Sequence, residues 1–464
     1  LSLQTRFRSP LHCARWMIER SDDARETLLR ITGRRGVNAS LLAGWLLSIG
    51  QTSAVKEVLA VLDSQEALPM LWRASLSDDA NERQQFIAAA EHCHAHNVRF
   101  PNSLDEVQML QSLGDSAFAR YLLGCFWYSK RRYDEAVSCW RETLEKSPDY
   151  APAHRLLGVY SWNKQQDATQ ALAYLQRAVA LEPDNARFLF ELDFLQKLLA
   201  RPVHERLTTL VERKAVVLKR DDLTAELLSL WNAAGHYADA AAILDTRVFH
   251  PWEGGEGRIT GQYLLNQLHR ALQFIEREAF TQAADCLKDA LRYPDNLGEG
   301  RLPGQTDNDI WYLLGYCAEQ AGDAQQAAEY YQLARQGAST LDAGRYYNDQ
   351  PADYLFWQGI ALRKSGNPAQ AEQHFRHFID WAAQHRDDVP QVDFFAVSLP
   401  DLVVLDVSAQ QRHQQHCLFI EALGHLGLGN VSACQQRMQQ LLQINPAHDK
   451  AHLIRHALQS GIFS

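Results

Sequence analysis

Trp311-Tyr312-Leu313-Leu314-Gly315, followed by Gly322, Ala327, Tyr331 and Ala334, is the stretch whose reading decides the fold. Its apolar residues recur at helical rather than strand spacing, over two segments short enough to form a hairpin. A small residue on each helix lets the two approach closely, and large apolar residues fill the space on either side. Neither helix can bury its apolar face alone, so such hairpins have to stack on one another. The same design stands upstream, where Ala117 to Gly124 opens one helix, Ala136 to Trp140 lies in a second and Pro148 closes the unit. Leu157-Gly158, Ala171, Leu175, Ala178 and Pro183 repeat it, and Gly124 to Gly158 is 34 residues.

A period of 34 residues with small and aromatic residues at these positions resembles the tetratricopeptide repeat. Looser copies follow. Leu227, Trp231, Gly235, Tyr237, Ala240 and Leu244 make one, and Ala271, Phe274, Ala283, Leu287 and Ala290 make the next. Gly359, Leu362, Gly366, Ala371 and Phe375 form another, and Ala422, Gly429, Met438, Leu441 and Pro446 the last. Residues 186–220 read as a degenerate unit broken at Pro202. Residues 1–110 are helical in pattern but poor in register, so they are expected to be divergent helical repeats, with the regular array over 111–464. No sustained alternation of period two points to a sheet, and the expected fold is an all-α solenoid of tetratricopeptide type, a right-handed superhelix of helical hairpins with inserted loops.

Composition limits the function. The 464 residues are 46% hydrophobic and 22% charged, with a formal charge of −10 and no long basic run, so nucleic acid is not an expected partner. No stretch of about 18 apolar residues is present and Leu1 to Pro10 lacks a signal-peptide core, so no membrane crossing is expected. The sequence opens on Leu1 without an initiator Met, from which processing or excision from a longer protein is expected. The eight cysteines (13, 93, 125, 139, 286, 317, 417 and 434) form no C-x-x-C pair and read as buried thiols of a reducing cytoplasm.

Three interruptions of the repeat carry the functional reading. Pro251-Trp252-Glu253-Gly254-Gly255-Glu256-Gly257-Arg258-Ile259-Thr260-Gly261 is matched 43 residues later by Pro294-Asp295-Asn296-Leu297-Gly298-Glu299-Gly300-Arg301-Leu302-Pro303-Gly304. Both read P-x-x-x-G-E-G-R-[IL]-x-G, and they lengthen inter-repeat connections over 251–263 and 294–306. Glycines fixed around one Glu and one Arg specify backbone shape and charge together, which core packing does not require. The second interruption, 341–353, contains Tyr346-Tyr347-Asn348-Asp349-Gln350-Pro351. The third, 388–410, contains Val392 to Leu405, too apolar for a solvated loop and expected to pack in the groove of the solenoid.

At these interruptions the sequence is similar to the repeat region of a family of large bacterial proteins, the YphG-like family. The matching motifs stand here as His250 to Gly257, Asn296 to Leu302, Tyr347 to Pro351 and Asp393 to Leu402, and the resemblance runs from about residue 98 onward. It implies a carboxy-terminal repeat half preceded, in full-length members, by a β-rich domain similar to carbohydrate-active mutarotase-like sandwiches. It implies no activity for the repeats.

The candidate binding residues are Trp252, Glu253, Glu256, Arg258, Asn296, Glu299, Arg301, Tyr346, Tyr347 and Asp349. On one reading the Glu and Arg pairs form a charged rim with Trp252 as an aromatic platform. On the other, each Glu pairs with a neighbouring or opposite Arg and the glycines turn the chain. The two copies are expected to lie side by side along one edge. Glu253, Glu256 and Glu299 could serve as a glycosidase-like acid and base, but no nucleophile or metal set accompanies them. His92 and His96, and His448, His452 and His456, have the i,i+4 spacing of zinc ligands, yet no second element supplies a matching thiolate or carboxylate, so they read as surface or capping groups. No cofactor and no metal is expected.

The first-helix positions Phe118, Tyr121, Cys125 and Tyr128, then Arg155, Val159 and Trp162, make an aromatic, sparsely basic groove, unsuited to clamping a terminal carboxylate and suited to an apolar segment. The expected function is therefore a protein-interaction scaffold. It would bind a protein partner or its own absent amino-terminal domain through the concave face and the G-E-G-R loops. The alternative is part of a carbohydrate-metabolism enzyme whose loops complete a sugar site with that absent domain.

Overall fold

A computed structural model describes residues 2–33, 36–62, 66–96, 99–341, 350–390 and 404–463. The described residues hold helices and no strand, in two compact units, Leu1–Ser161 and Trp162–Ser464. The first contains α1 (Ser2–Glu19), α2 (Asp22–Thr32), α3 (Gly36–Ser48), α4 (Thr52–Leu62), α5 (Ala67–Leu76), α6 (Ala80–His96), α7 (Leu104–Ser112), α8 (Ala117–Ser129), α9 (Tyr133–Lys146) and α10 (Ala151–Tyr160). The division falls within a short π-helix, Ser161–Gln165, between the helices of the 34-residue unit that the sequence places over 151–183.

The second unit starts with α11 (Ala168–Leu181), α12 (Ala186–Leu198), α13 (Val203–Glu212) and α14 (Lys214–Val217). Five hairpins follow: α15 (Asp221–Ala234) with α16 (Tyr237–Leu244), α17 (Arg258–Ile275) with α18 (Phe280–Ala290), α19 (Asn308–Gln320) with α20 (Ala324–Leu333), α21 (Tyr354–Lys364) with α22 (Pro368–His385), and α23 (Ala409–Gly427) with α24 (Val431–Ile444). A last helix, α25 (Asp449–Gln459), ends the chain.

The hairpins are built as the residue pattern dictates. A Cβ added to Gly315 would lie 2.6 Å from the Tyr331 ring, and one on Gly124 would lie 2.4 Å from the Trp140 indole. The aromatic ring of each second helix thus occupies the place of a side chain on the first, which is why a glycine stands there. One continuous apolar core runs through the stacked hairpins of the second unit, from Leu265 through Tyr312, Trp357 and Phe375 to Ile454.

Between α12 and α15, where the repeat degenerates, the core is ionic. Arg206 of α13 is 2% exposed and holds Asp193 through two bonds of 2.9 and 2.7 Å and Glu226 at 3.1 Å. Lys197 reaches both oxygens of Glu226 at 2.9 Å. Burial opposes the charge on Glu226, but Lys197, Arg206 and Arg258 outweigh it and hold the carboxyl far below the ordinary carboxylate range.

The face formed by the first helices of successive hairpins is covered by α25 and the residues after it. Asp449 accepts hydrogen bonds from Ser229 of α15 and Gln262 of α17, both 2.8 Å. Tyr312 of α19 donates to the carbonyl of Ile462 at 3.2 Å, and Phe463 packs against Phe356 and Trp357 of α21. In hairpins 221–364 this face carries helix α25 of the same chain. Asp449 of α25 answers the buried Ser229 and Gln262, and Phe463 beyond the helix packs on the aromatic end. Most of the insert, 391–403, lies outside the described residues. Its far end is held by the π-helix: Trp162 Nε1 donates to the Asp406 carbonyl and Asn163 Nδ2 to the Val404 carbonyl, each 2.9 Å, with Leu405 buried between.

Candidate functional site

The two G-E-G-R segments meet. Phe249 N–H donates to the Asn296 carbonyl at 2.7 Å, and the Asn296 amide donates back to the carbonyls of Leu244 and Arg247 at 2.7 and 2.8 Å. Gly298 is in the left-handed region (φ 80°), and a Cβ there would come within 2.5 Å of the Phe249 carbonyl oxygen. That glycine is demanded twice, by backbone conformation and by the close passage of the other loop. The loops therefore lie side by side.

Glu299 then crosses from the second loop to the first. Its carboxylate accepts the Gly257 N–H at 3.0 Å and the Thr260 hydroxyl at 3.3 Å, at the amino end of α17. Free N–H groups and the helix dipole favour an anion at this end. The arginines turn elsewhere: Arg258 reaches Glu226 at 3.4 Å, and Arg301 holds Asp307 as an ion pair and donates to Gln305 and the Leu291 carbonyl at 3.2 and 3.1 Å. Neither Glu pairs with a motif Arg, since a helix amino end and two buried carboxylates supply nearer partners. Trp252 is half-buried and lies on Gly255, where an added Cβ would fall 1.9 Å from the indole, while Glu253 and Glu256 are exposed to solvent. Tyr346, Tyr347 and Asp349 lie outside the described residues.

Beside this junction opens a cleft of about 840 Å³. Leu264, Leu265 and Leu268 of α17 form one wall. Glu299, Gly300 and Leu302 to Thr306 form another, and Asp309, Ile310, Gln350, Pro351, Tyr354 and Lys450 complete it. Of the predicted residues that are described, only Glu299 lines it. Lys450, at the start of α25, bridges Asp353 at 3.1 Å and Asp309 at 3.6 Å and stands 5.3 Å from the centre of the Tyr354 ring. Burial opposes the charge on Lys450, but the two aspartates outweigh it and raise the ammonium above its usual pKa. Burial also pushes the Asp309 carboxyl up despite Lys450, with Asp353 adding to the rise. Sequence reasoning missed this cluster because Asp309, Asp353 and Lys450 belong to three separate units; the one available signal was an aspartate at each of two consecutive first-helix starts.

Gly261, the last glycine of the first motif copy, lies in the first turn of α17 and lines the cleft. Its φ is not positive and an added Cβ would meet nothing among the described residues within 4 Å. Gly300 on the opposite wall is the same in both respects. A helical glycine costs about 1 kcal/mol relative to alanine. Neither conformation nor packing requires one at Gly261, so its effect is to leave room.

The histidines do not converge on a metal. His448 Nδ1 accepts the Ala451 N–H at 3.2 Å as a helix cap, His452 bonds the Pro446 carbonyl at 2.7 Å, and His456 turns to α17. His96 lies among the residues whose side chains are not described. Among the described residues no group of three His, Cys, Asp or Glu could hold a metal ion. Burial pushes Cys125, Cys317 and Cys434 up to about 12, so they are protonated thiols rather than nucleophiles.

Residues 127–186 and 269–343 match the family model described as tetratricopeptide repeat. The chain is similar to the solved TPR domain of P58(IPK), with 11% identity, 95% of this chain and 99% of that chain covered, and a TM-score of 0.26. It is also similar to the APC/C hetero-tetramer Cut9–Hcn1, with 12% identity, 98% and 92% covered, and a TM-score of 0.23. With the matched segments and the stacked hairpins together, the chain is an all-α solenoid of tetratricopeptide type. Tetratricopeptide repeats generally mediate protein–protein interaction. Among the described residues no helix is long and apolar enough to cross a membrane.

Proposed function

We propose that this chain is a protein-interaction scaffold that receives a segment of its partner in the cleft beside the paired G-E-G-R loops. The observation that carries the reading is Gly261, a helical glycine with open space in front of it, in a motif copy whose partner copy builds the facing wall. The first-helix face is less suited to this task, because α25 already covers it. In this reading Asn296 and Glu299 lock the loops together, Arg258 and Arg301 anchor them to the hairpins, and Trp252, Glu253 and Glu256 form an outer rim. Tyr346, Tyr347 and Asp349 precede Gln350, which lines the cleft, in the sequence. The resemblance to the YphG-like repeat region supports an amino-terminal domain of the same polypeptide as one natural partner, beside separate proteins.

The test uses the full chain with a photoreactive benzoylphenylalanine in place of the exposed Gly300. Cross-linking to a partner polypeptide is expected, and Gly261→Leu is expected to abolish it without lowering the thermal midpoint. Adducts that persist in a folded Gly261→Leu protein would remove the cleft from the interaction.

A further inference from the structure

The charges of the cleft do not balance. Lys450 is its only cationic side chain among the described residues, and it is shared by two carboxylates, Asp309 and Asp353. Glu299, on the facing side, is satisfied by an N–H and a hydroxyl and by no cation. Arg301 is near, but its charge is taken by Asp307. Two carboxylates, Glu299 and Asp309, thus line the pocket with one ammonium that Asp353 behind it also claims, and Leu264, Leu265, Leu268 and Ile310 supply an apolar part of the wall. Apolar wall and surplus negative charge together specify what fits: a side chain with an aliphatic stem and a cationic head, beside an apolar neighbour.

The chain already contains one example of that recognition. Lys450 of α25 lays its ammonium between Asp309 and Asp353 with the Tyr354 ring beneath it. Burial pushes the Asp309 carboxyl up and Asp353 adds to the rise; a second cation beside Asp309 would act against both, as Lys450 does.

We infer that the cleft selects a partner segment carrying a lysine or arginine next to a large apolar residue, the cation placed between Glu299 and Asp309. This rests on the reading of the cleft as a protein-binding site. The probe is a positional-scanning array of synthetic ten-residue peptides, offered to the full chain and to three variants, Gly261→Leu, Glu299→Gln and Asp309→Asn. Enrichment of Lys or Arg followed by Leu, Ile or Phe is expected, with binding about tenfold weaker in Glu299→Gln and weaker at high salt. Asp309 is buried against Lys450, so Asp309→Asn is read only if its circular dichroism and thermal midpoint match the parent; Glu299→Gln keeps the test decisive if they do not. Peptides that bind, are lost in Gly261→Leu, and show no basic preference would overturn this inference and leave the cleft intact. Binding of every peptide class undisturbed by Gly261→Leu, or none at all, would overturn both readings.

Discussion

His269 of α17 and His456 of α25 make the docking of the carboxy-terminal helix sensitive to acid. His269 is 2% exposed, and its Nδ1 lies 2.8 Å from Nδ1 of His456, so one nitrogen donates and the other accepts. Tyr237 stacks on both rings, its hydroxyl 3.3 Å from His456 Nδ1, and Glu276 lies 3.3 Å from His456 Nε2. Burial lowers His456 as well, with Glu276 acting against it, and a proton there leaves its two N–H groups facing His269 and Glu276. A proton on His269 as well would set N–H against N–H, with Arg455 and His452 adding their charges nearby. Burial, followed by His456, holds His269 well below the ordinary histidine range when the helix is docked. The released imidazole has a pKa of about 6.5. The group is depressed in the docked state, so its contribution is present above pH of about 6.5 and is lost as pH falls from there towards the docked value. The slope for one such group is about 1.4 kcal/mol per pH unit, a tenfold fall in the docking equilibrium. Hydrogen–deuterium exchange of peptides from 449–463, expressed as protection factors at pH 7.0, 6.0 and 5.0, reads that equilibrium directly. His269→Gln is neutral at every pH, so its protection is expected to lose about tenfold less per pH unit below 6.5 than the parent's. Equal pH slopes in the parent and His269→Gln would refute the reasoning.

Three further outcomes follow from contacts described above. Arg206→Met leaves Asp193 and Glu226 buried without their shared guanidinium and is expected to destabilise the second unit by about 3–5 kcal/mol in urea unfolding. Gly315→Ala places a methyl against Tyr331, whose hydroxyl is fixed on Glu319 at 2.6 Å, so the ring cannot yield freely; a loss of about 1–3 kcal/mol is expected by the same measurement. Glu299→Ala removes the charged acceptor at the amino end of α17 and is expected to cost about 2 kcal/mol and to speed amide exchange at Gly257; unchanged exchange there would show that the crossing contact does not form in solution.

The helical hairpins were legible in the sequence because their cause is local. Small residues on each helix, flanked by large apolar ones and recurring after 34 residues, need only helical periodicity to be read; that Gly124 faces Trp140 and Gly315 faces Tyr331 is what the structure adds. The doubled G-E-G-R motif was legible as a pair for the same reason, and its register placed the copies next to each other. The roles of its charges were not, since Glu299 finds the amino end of another helix 42 residues away and Arg258 finds Glu226, 32 residues back. The ionic core at Arg206 escaped notice because a buried arginine looks in sequence like any surface arginine of an amphipathic helix.

What the sequence determined by itself is therefore the unit and its repetition: helical hairpins, the small residues that let their helices approach, and the two places where a loop is lengthened in the same way. What only the tertiary structure decided is which surfaces remain available. Helix α25 and the residues after it return across four first helices, from Ser229 to Trp357, and beside the paired loops opens a cleft that Lys450 also lines. Period and propensity act over a few residues, whereas the occupation of a face depends on which distant side chains satisfy its buried polar groups. Those partners are fixed by the superhelical path of the whole unit rather than by any one repeat.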